Sequence, residues 1–263
     1  MNIADIDLQQ FEPGFFFPRR FQEQWVQDKL KQYGVIQPRE FYILDAHKLV
    51  YLSVPKAACS SIKTALAKAV GITLAPDQGI DAIHAHPAWH RQKGTLDAAQ
   101  SGYAKFSFVR NPFDRLVSCY RDKINFTPTP QRPKSIYDYY LFALPTHSTF
   151  ADFVERVSKI PDALADNHFK SQYALLYEDG AALVDTVGKF EQLHDDWQPI
   201  ATQYQLDPQL EPFNVSKTKP GCHSDYRLYY TQPLVQLVYE RYRQDVEMFG
   251  YEAEYKQLLE FVR

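Results

Sequence analysis

The run LVYLSVPKAACSSIKTALAKAVG at residues 49–71 sets a lysine and two serines between an apolar segment and a helix pattern. Lys56 brings an ammonium, Ser60 and Ser61 bring hydroxyls, and the backbone amides of Ala57, Ala58 and Cys59 lie between them. Each group favours negative charge, and a helix N-terminus adds its dipole to the same small volume. The chemistry expected there is the binding of a phosphate or sulfate group. A plain strand-to-helix unit with a surface lysine has the same spacing and is the alternative.

A second stretch, KFSFVRNPFDRLVSCYRDK at residues 105–123, repeats the arrangement. Phe106, Phe108 and Val109 read as a strand, and Arg110 stands at its end, where open α/β sheets bind ligands. Asn111 suits an N-cap, Pro112 the first helical position and Asp114 the first turn. Phe113, Leu116, Val117, Tyr120 and Ile124 then form a core face, leaving Arg115, Ser118 and Asp122 on another, where Arg115 reads as a solvated charge.

Three histidines compete as a general base. His84 and His86 form an H-x-H in the polar stretch 75–102, and His168 sits in a polar setting in NHFKSQY. A solvated surface histidine is the ordinary alternative for each. With nearby His90 the H-x-H is also a conceivable metal site, but no acidic or cysteine ligand stands at a fixed spacing, so no metal is expected.

The elements that must position these residues follow from pattern. Residues 41–44 and 49–54 read as a β-hairpin feeding the lysine loop, with Pro55 ending strand pairing. Ser60 or Ser61 is the expected cap of a helix with Ile62, Ala65, Leu66, Ala69 and Val70 as its apolar positions, closed by Gly71. Helices are expected at 18–33, 135–144, 149–160 with a Thr149 cap, 231–249 and 254–262, and further strands in YALLYEDG and at 184–190. The tyrosines at 226, 229 and 230 read either as a ligand platform or as core.

With 263 residues and 45% apolar content, the chain can bury one large α/β core, and a single domain with an N-terminal extension over residues 1–40 is expected. A net charge of -3 gives no nucleic-acid footprint, so any basic site is local. No stretch reaches the ~20 apolar residues of a transmembrane segment, and the first residues carry no signal-like run, so a cytoplasmic protein is expected. Three cysteines without a CxxC pair argue against a disulfide framework or structural zinc.

Together the two strand-to-helix stretches carry a family resemblance. VPKAACSSIK is similar to the 5′-phosphosulfate loop VPK-x-A-C-[ST]-x-x-K of Golgi-type carbohydrate sulfotransferases, and FVRNPFDRLVSCYRDKI resembles their 3′-phosphate motif. The tail, with Phe249, Gly250 and Tyr251, is also similar, so the resemblance runs over residues 48–251. His84 and His86 resemble the H-x-H region of uronosyl 2-O-sulfotransferases, and His168 the H-[WF]-x-x-Q segment of chondroitin and dermatan 4-O-sulfotransferases.

The resemblance implies a P-loop-like three-layer sandwich with a central parallel sheet flanked by helices. It implies 3′-phosphoadenosine 5′-phosphosulfate (PAPS) as sulfuryl donor and a carbohydrate-type hydroxyl as acceptor. Lys56, Ala57, Ala58, Cys59, Ser60 and Ser61 would take the 5′ side, and Arg110 and Ser118 the 3′-phosphate. Lys56 would also act in catalysis with His84, His86 or His168. The loop has no glycine between Lys56 and Gly71, unlike a kinase GxxxxGK[ST], so magnesium is not required. An Mg-ATP-dependent small-molecule kinase and a non-catalytic nucleotide-binding protein of the same fold are the alternatives. The missing anchor and the cysteine count favour a bacterial-type enzyme over a Golgi one.

Overall fold

The computed structural model describes residues 38–73, 81–84, 86–125, 148–210 and 225–263. The helices expected at 18–33 and 135–144, the proline-rich run 126–133 and Cys222 lie outside the described residues. In chain order the elements are β1 (Glu40–Leu44), β2 (Leu49–Leu52), α1 (Cys59–Ala69), β3 (Arg91–Lys93), β4 (Ala104–Val109), α2 (Pro112–Lys123) and α3 (Phe150–Ser158). Then come α4 (Gln172–Leu176), β5 (Tyr177–Glu178), β6 (Ala181–Ala182), β7 (Thr186–Lys189), α5 (Leu193–Gln203), α6 (Gln232–Arg241), α7 (Arg243–Met248) and α8 (Glu252–Phe261). Two compact units result. One is Pro38–Asn111 with Gln172–Asp225, and the other contains Pro112–Ser171 and Tyr226–Arg263.

The first unit is built on a five-stranded sheet in the order β3-β1-β2-β4-β7. β2, β4 and β7 are parallel neighbours, while β1 runs antiparallel to both β2 and β3. The sheet is therefore mixed rather than all parallel, as the expected hairpin at 41–54 requires. Only four residues separate β1 from β2, the turn Asp45–His47 and Lys48, left-handed at φ 50°. That is far too short for a crossover between parallel strands.

Alternate residues of the sheet, Tyr42, Leu44, Leu49, Tyr51, Phe106 and Phe108, pack with Ile62, Ala65 and Leu66 of α1 and Trp197, Ile200 and Ala201 of α5. All four residues of β2 are buried, because the strand is covered on both faces. Gly188 permits the close pairing of β7 with β4: a Cβ there would come within 2.4 Å of the Phe108 ring. At the far end of α1 the amide of Ile72 donates to Ala67 and that of Gly71, at φ 72°, to Lys68, the paired bonds of a Schellman close.

The segment YALLYEDG departs from the expected strand. It forms α4 and then a two-residue hairpin of β5 and β6, turned by Asp179 and Gly180, both at positive φ. Asp-Gly at such a turn is a strong hairpin signal that outranks the apolar run before it.

In the second unit α2 begins at Pro112, as expected, and buries Phe113, Leu116, Val117 and Tyr120. α3 starts on a full capping box, the Thr149 hydroxyl accepting from the Asp152 amide and the Asp152 carboxylate accepting from that of Thr149. The single helix expected over 231–249 is two, α6 and α7, parted at Tyr242 with φ -120°. Tyr242 leaves helical geometry there, and its phenol donates to the Phe169 carbonyl at 2.6 Å. Tyr230 packs in the core, donating to the carbonyl of Phe113, so it belongs to the interior rather than to a platform.

Candidate active site

β2 and β4 are parallel neighbours, so the loop after β2 and the residues after β4 leave the sheet at the same carboxyl edge. Within the first loop Lys56 and Ala58 both hold left-handed backbone, at φ 70° and 58°. Such conformations cost non-glycine residues about 1–3 kcal/mol each and persist where surrounding structure imposes them. Between Lys56 and Ala58 the Ala57 amide donates to the Val54 carbonyl at 3.4 Å, closing the loop on the end of the strand. Ala58 is the N-cap of α1 and provides no side-chain cap. Ser60 and Ser61, expected as caps, instead lie inside the first turn and are buried. The left-handed Ala58 carries the chain into the helix two residues earlier than a Ser60 cap would.

Arg110 joins the two stretches. Its guanidinium donates to the carbonyl of Lys56 at 3.2 Å and lies 4.1 Å over the ring of Phe190. Its backbone is locked by Gln172, which accepts from the Arg110 amide and donates to its carbonyl, both at 2.8 Å. Gln172 is fully buried. The Asn111 amide donates to Glu191 at 2.7 Å.

His84 closes a single helical turn, Asp81–His84, and reaches α1. Its Nε2 is 3.2 Å from the Ser60 hydroxyl and its Nδ1 is 3.1 Å from Lys63 Nζ. Its carbonyl accepts from Tyr42 and Arg91. His86 has a different setting, its Nδ1 accepting from the Ala88 amide at 3.3 Å. His90 pairs with Asp45 at 2.5 Å, and this hydrogen bond is the main force holding the Asp45 carboxyl below its usual range. Among the described residues no His, Cys, Asp and Glu cluster is arranged to hold a metal.

The remaining residues belong to the second unit. Ser118 is half-buried on α2. His168 lies on the irregular stretch 162–171 and donates from Nδ1 to Asp166 at 2.6 Å; that carboxylate, 1% exposed, also accepts the His168 amide. Arg115, which reads from sequence as a solvated charge, is 2% exposed and donates to the carbonyls of Lys170 and Asn167 at 2.7 and 2.8 Å. Asp162 accepts from the amide and hydroxyl of Ser171 and from Arg241.

The sulfotransferase family model matches residues 39–252. The chain belongs to that family. It is similar to carbohydrate sulfotransferase 8 of Homo sapiens, 31% identical over 171 residues, which is 59% of this chain and 40% of that protein. Carbohydrate sulfotransferase 9 of Homo sapiens is 27% identical over 261 residues, 86% of this chain and 58% of its own. Carbohydrate sulfotransferase 12 of Xenopus laevis is 23% identical over 249 residues, 79% of this chain and 59% of that one. The chain thus spans between 40% and 59% of the length of these relatives. No solved structure matches. The sulfotransferase match takes in both strand-to-helix stretches and His168. It also takes in three residues to which sequence reasoning gave no site role: Lys63, Asp166 and Gln172. Lys63 and Gln172 were visible as the last letters of their motifs.

Proposed function

We propose that this chain transfers the sulfuryl group of PAPS to a hydroxyl of a carbohydrate acceptor. The observation that carries the reading is Arg110 donating to the Lys56 carbonyl, which makes one edge of two anion-binding stretches in a member of the sulfotransferase family. A donor phosphorylated at both ends needs two such stretches. The P-loop-like sandwich expected from the sequence belongs to the same reading, supported by a strand, a tight loop and a helix entering a largely parallel sheet.

Lys56, the amides of Ala58 and Cys59, and the hydroxyls of Ser60 and Ser61 bind the 5′ side, whereas the Ala57 amide, expected from the sequence to join them, donates to the Val54 carbonyl. Arg110 binds the 3′-phosphate, with Ser118 added by the sequence motif. In the transfer the bond from sulfur to the bridging 5′-phosphate oxygen breaks, and a bond from sulfur to the acceptor oxygen forms. Lys56 stabilises the charge left on the departing phosphate. The acceptor proton passes to a base, and adenosine 3′,5′-bisphosphate leaves. His168 suits the role of that base, because donation from Nδ1 to Asp166 leaves the lone pair of the neutral ring on Nε2. His86 has Nδ1 engaged by a backbone amide.

Titration with adenosine 3′,5′-bisphosphate in a thermal-shift assay tests the reading. At a hundred times its dissociation constant it adds about 2.7 kcal/mol of stability. The gain is expected without magnesium and is reduced in Lys56→Ala and Arg110→Ala. Stabilisation by ATP with magnesium instead would establish the kinase alternative.

A further inference from the structure

We propose that Gln172 is a positioning residue for the 3′ side of the donor: its side-chain amide takes the place of a neighbouring strand at Arg110, and through Arg110 it sets the preference for a 3′-phosphorylated nucleotide. The inference rests on the donor reading above and deepens it. The ladder between β4 and β7 ends at the pair Val109 and Lys189. Arg110 is the next residue, and a backbone amide and carbonyl left unpaired away from water cost free energy. Gln172, 0% exposed, meets both groups: Oε1 accepts from the Arg110 amide and Nε2 donates to the Arg110 carbonyl, each at 2.8 Å. A carboxamide carries a donor and an acceptor side by side in one plane, the pattern that a paired strand presents.

Further contacts hold the same place. The Asn111 amide donates to Glu191 at 2.7 Å and the Arg110 guanidinium lies 4.1 Å over the Phe190 ring, so the short turn Phe190–Gln192 after β7 braces both residues. The guanidinium also donates to the Lys56 carbonyl at 3.2 Å. α4, which opens at Gln172, is tied down in turn by Arg39, whose guanidinium takes the carbonyls of Ala174, Leu175 and Tyr177 at 3.0, 2.9 and 2.7 Å. Because the arginine side chain is long, a small turn of its backbone becomes a large displacement of its guanidinium, and a phosphate contact of fixed geometry is lost. Gln172 acts on the 3′-phosphate only through Arg110. Its loss therefore shows in donor binding rather than in the transfer step.

Calorimetric titration compares adenosine 3′,5′-bisphosphate with adenosine 5′-monophosphate, which lacks the 3′ group. Wild type is expected to prefer the bisphosphate. Gln172→Met is expected to lower bisphosphate affinity about tenfold and to leave monophosphate affinity unchanged. In an Arg110→Ala background the same substitution is expected to change neither, because the side chain that it positions is gone. Gln172→Glu, which keeps an acceptor for the Arg110 amide and loses the donor to the carbonyl, is a second variant for the case in which Gln172→Met does not fold, and it is expected to lower the preference in the same direction. In steady-state kinetics with PAPS the donor KM should rise while kcat holds. A folded variant that keeps the wild-type preference, weakens both nucleotides alike or loses kcat alone overturns the inference and leaves the donor reading standing. A wild type that does not distinguish the two nucleotides overturns both.

Discussion

Among the histidines, hydrogen-bond partners rather than position in the chain separate the roles. His168 is turned by a buried carboxylate, whereas His84 is held between an ammonium and a hydroxyl. His168→Ala is expected to lower kcat by about 10² to 10⁴ while leaving bisphosphate affinity near wild type. Asp166→Asn should move kcat the same way, since it removes the carboxylate that orients the ring. Steady-state kinetics beside a binding titration would check this, and an unchanged kcat in His168→Ala would give the base to another group. The placement of Lys56 and Arg110 at the strand-to-helix joints was legible in the sequence because a lone charge stood where a strand pattern met a helix pattern. Lys63 was legible only as the last letter of its motif, because a lysine one position beyond an apolar Ile62 otherwise reads as the solvated edge of an amphipathic helix. Its burial depends on Glu40, Tyr42 and His84, which arrive from other strands and turns.

At the scale of elements, the stretch 162–171 has little regular structure of its own, yet side chains from a helix and from the junction of two others hold its backbone. Arg115 of α2 takes the carbonyls of Asn167 and Lys170, and Tyr242, between α6 and α7, takes that of Phe169. Arg115→Met keeps the length of the side chain but leaves both carbonyls without that donor, at about 1–3 kcal/mol for each buried group. The expected result is a lower Tm and a loss of kcat exceeding any loss of donor affinity, because the stretch carries His168. Differential scanning calorimetry and kinetics would test it, and a variant as stable as wild type would show that the guanidinium is not holding the stretch. The hairpin of β1 and β2, the start of α2 and the Thr149 cap were all legible, since each is encoded by neighbours in sequence. The break at Tyr242 was not. Apolar spacing continues through it, and the carbonyl that the Tyr242 phenol meets, that of Phe169, is 73 positions away.

At the scale of the molecule, acid stability among the described residues singles out one carboxylate. Asp45, Asp152 and Asp162 all titrate below their usual range, but the first two are at the surface, where such effects are largely screened. Burial alone would raise Asp162; the charge of Arg241, its hydrogen bond and those from Ser171 outweigh this and hold the carboxyl low. A carboxyl depressed in the folded state adds stability that is fully present above its unfolded pKa of about 3.9 and is lost as pH falls through the folded value. Asp162→Asn is therefore expected to lower Tm by a constant amount above about pH 5, and the gap to wild type should close below about pH 4. Arg241 and Ser171 lose the same partner in both proteins once Asp162 is protonated, which is why the curves converge. Tm measured at intervals from neutral to acid pH gives the answer: a gap that stays constant to the lowest pH would mean that packing at Asp162, and not its charge, supplies the stability.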